Sequence, residues 1–209
     1  MIRRALGLVR YEPAWRAMQA FNQARGPDTP DQLWLCEHPP VYTLGLAGRR
    51  EHVISPGEIA VIATDRGGQV TYHGPGQAIA YVMLDLRRRG LGAKELVRRL
   101  EASLIALLDE YGIRGERRTG MPGVYVGEAK VAAIGLRIAR GCSYHGLALN
   151  CGVDLEPFAR IDPCGYPGLA CTRLADLGVT DKMDAVQQKL SRHLEKCLET
   201  TSSSNASAR

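Results

Sequence analysis

Residues 123–150 read GVYVGEAKVAAIGLRIARGCSYHGLALN, a series of short apolar runs divided by glycine-containing turns. The pattern predicts two strands, Gly123 to Val126 and Lys130 to Ile138, joined as a hairpin around residues 127–129. A third strand is expected from Tyr144 to Asn150. Because strands joined by such short connections pair with one another, this stretch predicts the centre of a β-sheet.

Further strands and three helices are expected on both sides of this stretch. The additional strands are Leu33 to Cys36, Val41 to Leu44, Ile59 to Ala63, Ala78 to Leu84 and Ile113 to Arg118. Apolar residues at helical spacing predict an early helix ending near Gly26-Pro27, a helix with an apolar face from Leu96 to Tyr111, and a last helix from Val186 to Cys197 capped by Thr180 or Asp181. Strands that outnumber helices indicate an α/β fold of the α+β kind, a mixed β-sheet with packed helices.

The chain has 209 residues, of which 45% are hydrophobic, and this is enough for one sizeable core. Apolar segments run from Leu33 to Leu198 without a linker rich in proline or serine, so we expect a single domain over residues 1–200. Residues 201–209, TSSSNASAR, have too little apolar surface to fold and are expected to form a disordered tail.

The composition narrows the class of protein. No apolar run approaches the roughly 20 residues that cross a bilayer, and the first residues do not resemble a secretory signal, so we expect a cytoplasmic protein with reduced cysteines. The net charge of +5 suits an acidic protein partner as well as solvated arginines, whereas 6% aromatic residues do not favour nucleic-acid binding. Cys142 and His145 have the spacing of two zinc ligands, but no second pair follows, so no metal is predicted.

A glycine-rich segment, RGGQVTYHGPGQ, occupies residues 66–77. Glycine is favoured where the backbone turns sharply or lies directly against a ligand. The segment does not read as an ordinary core strand or helix, and we expect it to form a loop against which a substrate lies.

Cys164 is the best candidate nucleophile. It lies in DPCGYPG at residues 162–168, where two prolines and two glycines predict a rigid turn with free backbone N–H groups. A cysteine attacks as its thiolate, which nearby cations and N–H groups stabilise. The alternative interpretation is a structural thiol at a turn.

Lys130 is the second candidate for chemistry. It begins the alternating run KVAAIGLRI at residues 130–138, and a period of two would place it on one face with Ala132, Ile134, Leu136 and Ile138. A lysine at the head of an apolar face is partly desolvated and could hold a thiolate or accept a proton. The alternative is a lysine at the end of a strand whose amine reaches water. His73 and His145 are weaker candidates for the base of a Cys/His pair, because no partner carboxylate can be identified from spacing.

Taken together, these strings closely resemble the lipoyl(octanoyl) transferase family. The resemblance rests on RGGQVTYHGPGQ at 66–77, on KVAAIGLRI at 130–138 with SYHGLALN at 143–150, and on RIDPCGYPGL at 160–169, and it runs from about residue 10 to about residue 195. It implies the mixed-sheet catalytic fold shared with biotin protein ligases and lipoate ligases, with no cofactor and no metal.

The resemblance also implies an activity, its partners and its residues. Members of this family transfer an octanoyl group from octanoyl-acyl carrier protein to a lysine on lipoyl domains of 2-oxoacid dehydrogenase complexes and on the glycine cleavage H protein. By position, Cys164 would carry the acyl thioester and Lys130 would tune that thiol and shuttle protons. Arg66 and the basic surface would face the carrier protein. The positions that match the family's substrate-binding segments are Arg66, Gly67, Gly68, Gln69, Val70, Thr71, Tyr72, His73, Ala133, Ile134, Gly135, Gly146, Leu147 and Ala148.

Two small departures from the family pattern stand out, Val131 in place of a common isoleucine and a second thiol, Cys171, seven residues after Cys164. Two alternative functions remain at this point. One is an ATP-dependent lipoate or biotin protein ligase of the same fold, and the other is a non-catalytic module that binds acyl carrier protein.

Overall fold

A computed structural model describes residues 1–162 and 168–199. Within these ranges the chain forms ten strands and three α-helices. In chain order they are β1 (Ile2–Leu8), α1 (Tyr11–Ala24), β2 (Gln32–Glu37), β3 (Val41–Leu44), β4 (Val61–Ala63), β5 (Val70–His73), β6 (Gln77–Met83), α2 (Ala93–Glu110), β7 (Glu116–Arg118), β8 (Met121–Val126), β9 (Ala129–Ala139), β10 (Cys142–Asn150) and α3 (Met183–Glu199).

Seven strands form a large sheet in the order β1-β2-β6-β10-β9-β8-β7. The pair β1–β2 is parallel and all other neighbouring pairs are antiparallel. A smaller sheet, in the order β4-β3-β5, contains one parallel and one antiparallel pair. The predicted mixed sheet with packed helices is therefore confirmed.

Both faces of the large sheet are covered. Along β6, Ala78, Ala80 and Val82 belong to the core formed with α2 and α3, whereas the intervening residues Ile79 and Tyr81 pack in the core that includes α1. A strand that is buried on both faces is a continuous apolar run rather than an alternating one. This explains why residues 78–84 are uniformly apolar.

The predicted strands and helices agree with the structure at most positions, and four differences are the main ones. β1 was not predicted. The segment after Arg66 is not all loop, because residues 70–73 form β5 and pair with β3. Only residues 116–118 of the strand predicted over 113–118 are extended. The last helix begins at Met183, two residues beyond Asp181, whose carboxylate accepts a hydrogen bond from Tyr111 and pairs with Lys189.

In residues 1–162 and 168–199, no helix has the length and apolar character needed to cross a membrane. The tail predicted over 201–209 lies outside the described residues.

Candidate active site

A pocket lies between the large sheet and the small sheet, with the first turns of α1 at one end. Its walls come from the segment 66–73, from β6, from β9 and β10, and from the chain just before Thr172. The lining residues are Tyr11, Arg66, Gly68, Gln69, Val70, Thr71, His73, Gln77, Ile79, Tyr81, Pro122, Lys130, Ala133, Ile134, Gly135, His145, Gly146, Leu147, Ala148, Asn150, Phe158 and Cys171.

Most of the described residues that the sequence singled out meet in this pocket, although Arg66 and Ala148 are 82 positions apart. Two of the described ones do not line it. Tyr72 points into a separate apolar cluster, where its ring lies 5.5 Å from that of Tyr42 and 5.4 Å from that of Phe158. Gly67 lies behind the wall, and its N–H donates to the carbonyl of Leu136 on β9 at 2.8 Å.

Arg66 organises the glycine-rich segment from inside. Its guanidinium donates to the carbonyls of Gly67 and Gln69 at 2.9 and 2.6 Å and to the carbonyl of Thr43 at 2.7 Å. The residue is only 7% exposed. The expectation that Arg66 would face a carrier protein is therefore wrong, because the backbone carbonyls of a tight loop occupy its donors.

Close packing explains the small residues opposite this loop. A Cβ atom added to Gly135 would lie 3.1 Å from the carbonyl oxygen of Gly67 and 3.2 Å from Cδ of Arg66. On β10, a Cβ at Gly146 would overlap the carbonyl of Ala80. Glycine at these positions lets the loop and the strands approach closely enough to form a narrow wall.

A bulge in β9 turns Lys130 into the pocket. Val124 pairs with Ala132 and Tyr125 pairs with Lys130, so Val131 is an extra residue on this strand. Val131 and Ala132 both enter the core against α2, whereas Lys130 lies on the pocket side with Ala133 and Gly135. The prediction that Lys130 shares a face with Ala132 is wrong, since a bulge interrupts the two-residue period between them and Ala132 enters the core.

Lys130 is buried, with 4% of its surface exposed. Its Nζ donates to the carbonyl of Pro122 at 3.3 Å and lies 5.2 Å from the ring centre of Tyr125. The interpretation of Lys130 as a strand-end lysine in water is excluded by this burial.

The backbone of Lys130 is joined on both sides to the chain that follows the cysteine motif. Its N–H donates to the carbonyl of Ala170 at 2.8 Å, and its carbonyl accepts from the N–H of Thr172 at 3.0 Å. Cys171, between them, lines the pocket. Cys164 lies outside the described residues, so the predicted proximity of its thiol to Lys130 stays a prediction.

Four other cysteines are poor nucleophiles. Burial raises the pKa of Cys36, Cys142, Cys151 and Cys197, and that of Cys151 reaches about 12. Because the thiolate is the attacking species, a raised pKa makes these thiols weaker nucleophiles at neutral pH.

His73 begins a chain of hydrogen bonds along the pocket. Its Nδ1–H donates to Oε1 of Gln77 at 2.7 Å, Gln77 donates to Oδ1 of Asn150 at 2.9 Å, and Asn150 donates to the carbonyl of Thr172 at 3.0 Å. Burial, and then the nearby His38, lower the pKa of His73 to about 3. A neutral His73 therefore fixes the position of the segment that borders Lys130.

His145 has the carboxylate partner that spacing could not reveal. Its Nε2 lies 2.9 Å from Oδ1 of Asp65, which also accepts from Trp15 at 2.7 Å. The second oxygen of Asp65 accepts from Gln19 at 3.0 Å and from the hydroxyl of Tyr144. Burial opposes ionisation of Asp65, but these four donors hold its pKa well below the usual range.

The pair is distant from Lys130 along the strands. His145 pairs with Leu136 on β9 and Asn150 pairs with Gln77 on β6, so Asp65 and His145 lie near the α1 end of the pocket and Lys130 lies at the other end. Burial also lowers the pKa of His145 despite the attraction of Asp65, which keeps the ring neutral at pH 7. This separation does not support His145 as the base of a pair with a thiol beside Lys130.

Sequence reasoning missed Asp65, Gln77 and Asn150 as site residues. Each had a usable signal, because Asp65 directly precedes the glycine-rich segment, Gln77 ends it, and Asn150 ends the third predicted strand. In the described part of the chain, no cluster of three histidine, cysteine or acidic side chains is arranged to hold a metal ion.

The fold and pocket belong to a known class. Residues 10–195 match the family described as lipoyl protein ligase A/B catalytic domain. Among solved structures, lipoate-protein ligase A bound with ATP superposes with a TM-score of 0.76 and 16% identity, covering 95% of this chain and 86% of that chain. Biotin protein ligase from Aquifex aeolicus gives a TM-score of 0.57 and 12% identity, covering 95% and 68%. At these identities the likeness establishes the fold alone, and the class is that of the lipoate and biotin protein ligase catalytic fold.

More similar relatives narrow the class to one family. Octanoyltransferase from Alkalilimnicola ehrlichii is 61% identical over 196 residues, which cover 94% of this chain and 90% of the relative. Octanoyltransferase from Thiobacillus denitrificans is 56% identical over 198 residues, covering 95% and 91%. The chain belongs to the octanoyltransferase family, and it is an acyltransferase.

Proposed function

We propose that the protein moves an octanoyl group from octanoyl-acyl carrier protein to a lysine of a lipoyl domain, by way of a thioester on Cys164. The acceptors would be the lipoyl domains of 2-oxoacid dehydrogenase complexes and the glycine cleavage H protein. The observation that carries the proposal is the position of Lys130, whose side chain is buried and lines a narrow pocket. The backbone N–H and carbonyl of Lys130 are both hydrogen-bonded to the chain that follows the cysteine motif.

Two acyl transfers account for all atoms. The Cys164 thiolate attacks the carbonyl of the donor thioester, the carrier thiolate leaves, and the Lys130 ammonium gives it a proton. The neutral amine of the acceptor lysine then attacks the acyl-enzyme, Lys130 takes the proton that the new amide loses, and the Cys164 thiolate leaves. Lys130 ends as it began. No phosphate bond is broken because the donor is already a thioester.

The pocket would hold the octanoyl chain along Ala133 and Ala148, beside the closely packed wall that Gly135 and Gly146 permit. Each buried methylene contributes about 0.8 kcal/mol, so this apolar wall would supply most of the affinity for the acyl group. The proposal also retains one catalytic domain over residues 1–200 and a cytoplasmic location.

The experiment is incubation with octanoyl-acyl carrier protein in the absence of ATP, followed by intact-protein mass measurement. One octanoyl adduct is expected on the wild type, none on Cys164→Ala, and one on Cys171→Ala. Cys171 is the matched control, because it lines the same pocket and borders Lys130. An adduct that persists in Cys164→Ala would refute the assigned nucleophile, and strict dependence on ATP would indicate a ligase.

A further inference from the structure

A second cavity, here named the β9 groove, adjoins the candidate active site. The two cavities share Gly68, Gln69, Pro122, Ile134 and Gly135 in their walls. The groove then continues along β9 to Ile138 and reaches Ala93 at the first turn of α2. A molecule that occupies it can therefore extend one end towards Lys130 and keep the other outside.

The register of β9 accounts for the junction. β8 pairs with β9 as far as Gly123, which lies opposite Ala133. Beyond that point the edge of β9 is bonded to the glycine-rich segment instead, because the N–H of Gly67 donates to the carbonyl of Leu136. Residues 134 and 135 lie between these two contacts. The groove and the pocket meet at this interval.

The groove walls are mostly apolar. They include Leu46, Val97, Met121, Pro122, Leu136 and Ile138. Leu46 is 62% exposed and Ile138 is 36% exposed, which places both among the few large apolar side chains that the described residues leave in solvent. Exposed apolar surface grouped in a groove is typical of a binding site.

Gln69 stands where the two cavities meet, and it has an unsatisfied acceptor. Its Oε1 is buried and has no hydrogen-bond partner among the described residues. A buried amide oxygen without a donor is costly, and ligands commonly supply the missing hydrogen. The group that suits it is an amide N–H.

The outer part of the groove is positively charged. Arg137 lines it, with its guanidinium close to the hydroxyl of Tyr144, and Lys94 is exposed next to Ala93. Neither cation forms an ion pair within residues 1–162 and 168–199. A negatively charged group on the ligand would complement both.

We propose that the β9 groove binds the phosphopantetheine arm of the donor, an inference that rests on the proposed function. The arm is a linear chain with a thioester at one end, two amides and a geminal dimethyl group along its length, and a phosphodiester at the other end. Its thioester enters the pocket, an amide N–H donates to Gln69, the dimethyl group contacts the apolar wall, and the phosphate lies near Lys94 and Arg137. An acceptor lysine fits less well, because it is cationic and its side chain carries no amide.

The test compares two donors that differ in the arm alone. One is S-octanoyl-4′-phosphopantetheine, and the other is the octanoyl thioester of 2-mercaptoethanol. Leu46→Asp is the groove variant and Ile54→Asp is its matched control, since Ile54 is 61% exposed and does not line the groove. The readouts are the rate of enzyme acylation by each donor and the KM for an apo lipoyl domain.

Leu46→Asp is expected to lower kcat/KM for the phosphopantetheine donor about tenfold and to leave the short donor unchanged, because a carboxylate in an apolar wall repels the arm and its phosphate. Ile54→Asp should affect neither donor. Lys94→Glu should lower kcat/KM for the phosphopantetheine donor more than kcat/KM for the same donor without its phosphate.

Equal effects of Leu46→Asp and Ile54→Asp on the phosphopantetheine donor would overturn the groove assignment. It would also be overturned if Leu46→Asp raised the KM for the lipoyl domain instead, since the groove would then serve the acceptor. Failure of the wild type to be acylated by octanoyl-acyl carrier protein itself is a different result, and it would refute the proposed function.

Discussion

His145 shows how one residue can depart from its element and thereby organise a site. It lies within β10, yet its φ is 59°, in the left-handed region that costs a non-glycine residue about 1–2 kcal/mol. Consecutive residues of a regular strand point to opposite faces. The left-handed backbone instead lets both Tyr144 and His145 reach Asp65. The local strain is offset by a carboxylate with four donors that joins β10, α1 and the start of the glycine-rich segment.

Lys130→Arg tests the proton-transfer role at the same scale. Arginine keeps a cation near the pocket but does not release its proton at working pH, so we expect the fold to be retained and kcat to fall by at least about tenfold. Circular dichroism and urea unfolding check the fold, and steady-state transfer to an apo lipoyl domain checks turnover. Unchanged kcat would show that Lys130 acts only through its charge.

A site residue could be predicted from sequence where its type is unusual among its sequence neighbours. It could not be predicted where its role depends on a partner far away in the chain. Lys130 could be selected because a lysine at the head of an apolar strand is unusual. The pairing of His145 with Asp65 could not be predicted, because 80 residues separate them and the contact depends on one backbone angle.

At the scale of elements, the bulge in β9 is the feature on which the site depends. It places Lys130 on the pocket face, and Gly123 on the neighbouring strand makes room for it. Gly123 has a φ of 130°, and a Cβ there would overlap the carbonyl of Ala132 and lie 3.3 Å from Cε of Lys130. The strand bounds follow from apolar runs and glycines, but a bulge leaves the same composition and shifts only the alternation, so it could not be predicted.

Gly123→Ala should therefore disturb both stability and turnover. We expect the free energy of unfolding to fall by about 2 kcal/mol or more, and kcat to fall because Lys130 is displaced. Urea unfolding and steady-state assays measure the two effects.

Gly127→Ala is the matched control for this substitution. Its φ is 54° and a Cβ would meet nothing within 4 Å, so we expect a loss of about 1 kcal/mol with turnover retained. If both variants lost the same stability and kept full activity, Gly123 would have no special part in placing Lys130.

Two elements show why other parts of the fold were harder to predict. β1 reads IRRALGL and is largely exposed at the edge of the sheet, so it has neither the alternation nor the apolar run that marks a strand. β5 lies within a segment whose glycines indicate a loop, and its pairing with β3 comes from 30 residues earlier in the chain. Tertiary contacts, not local preference, determine both strands.

Across the whole molecule, the buried histidines link stability to pH. Burial lowers the pKa of His38, His73 and His145 in the folded protein, and His73 reaches about 3. The unfolded chain binds protons near pH 6.5, whereas the folded chain does not until lower pH. Their contribution to stability is therefore complete above about pH 6.5 and is lost as the pH falls towards 3.

We accordingly expect the urea midpoint of unfolding to change little from pH 7.5 to about pH 6.5 and to decrease from there to pH 5. Carboxylates with lowered pKa, such as Asp65, lose their contribution to stability only below about pH 5, so a change between pH 6.5 and pH 5 is due to the histidines. A midpoint that stays constant or rises between pH 7.5 and pH 5 would contradict buried neutral histidines.

The most direct test of the central claim is a single-turnover chase. The protein, acylated on Cys164 by octanoyl-acyl carrier protein without ATP, is mixed with an apo lipoyl domain, and the mass of each protein is followed with time. The octanoyl group should leave Cys164 and appear on the lipoyl-domain lysine at a rate equal to or faster than kcat. An adduct that persists while turnover continues would show that the thioester is not an intermediate and would contradict the account.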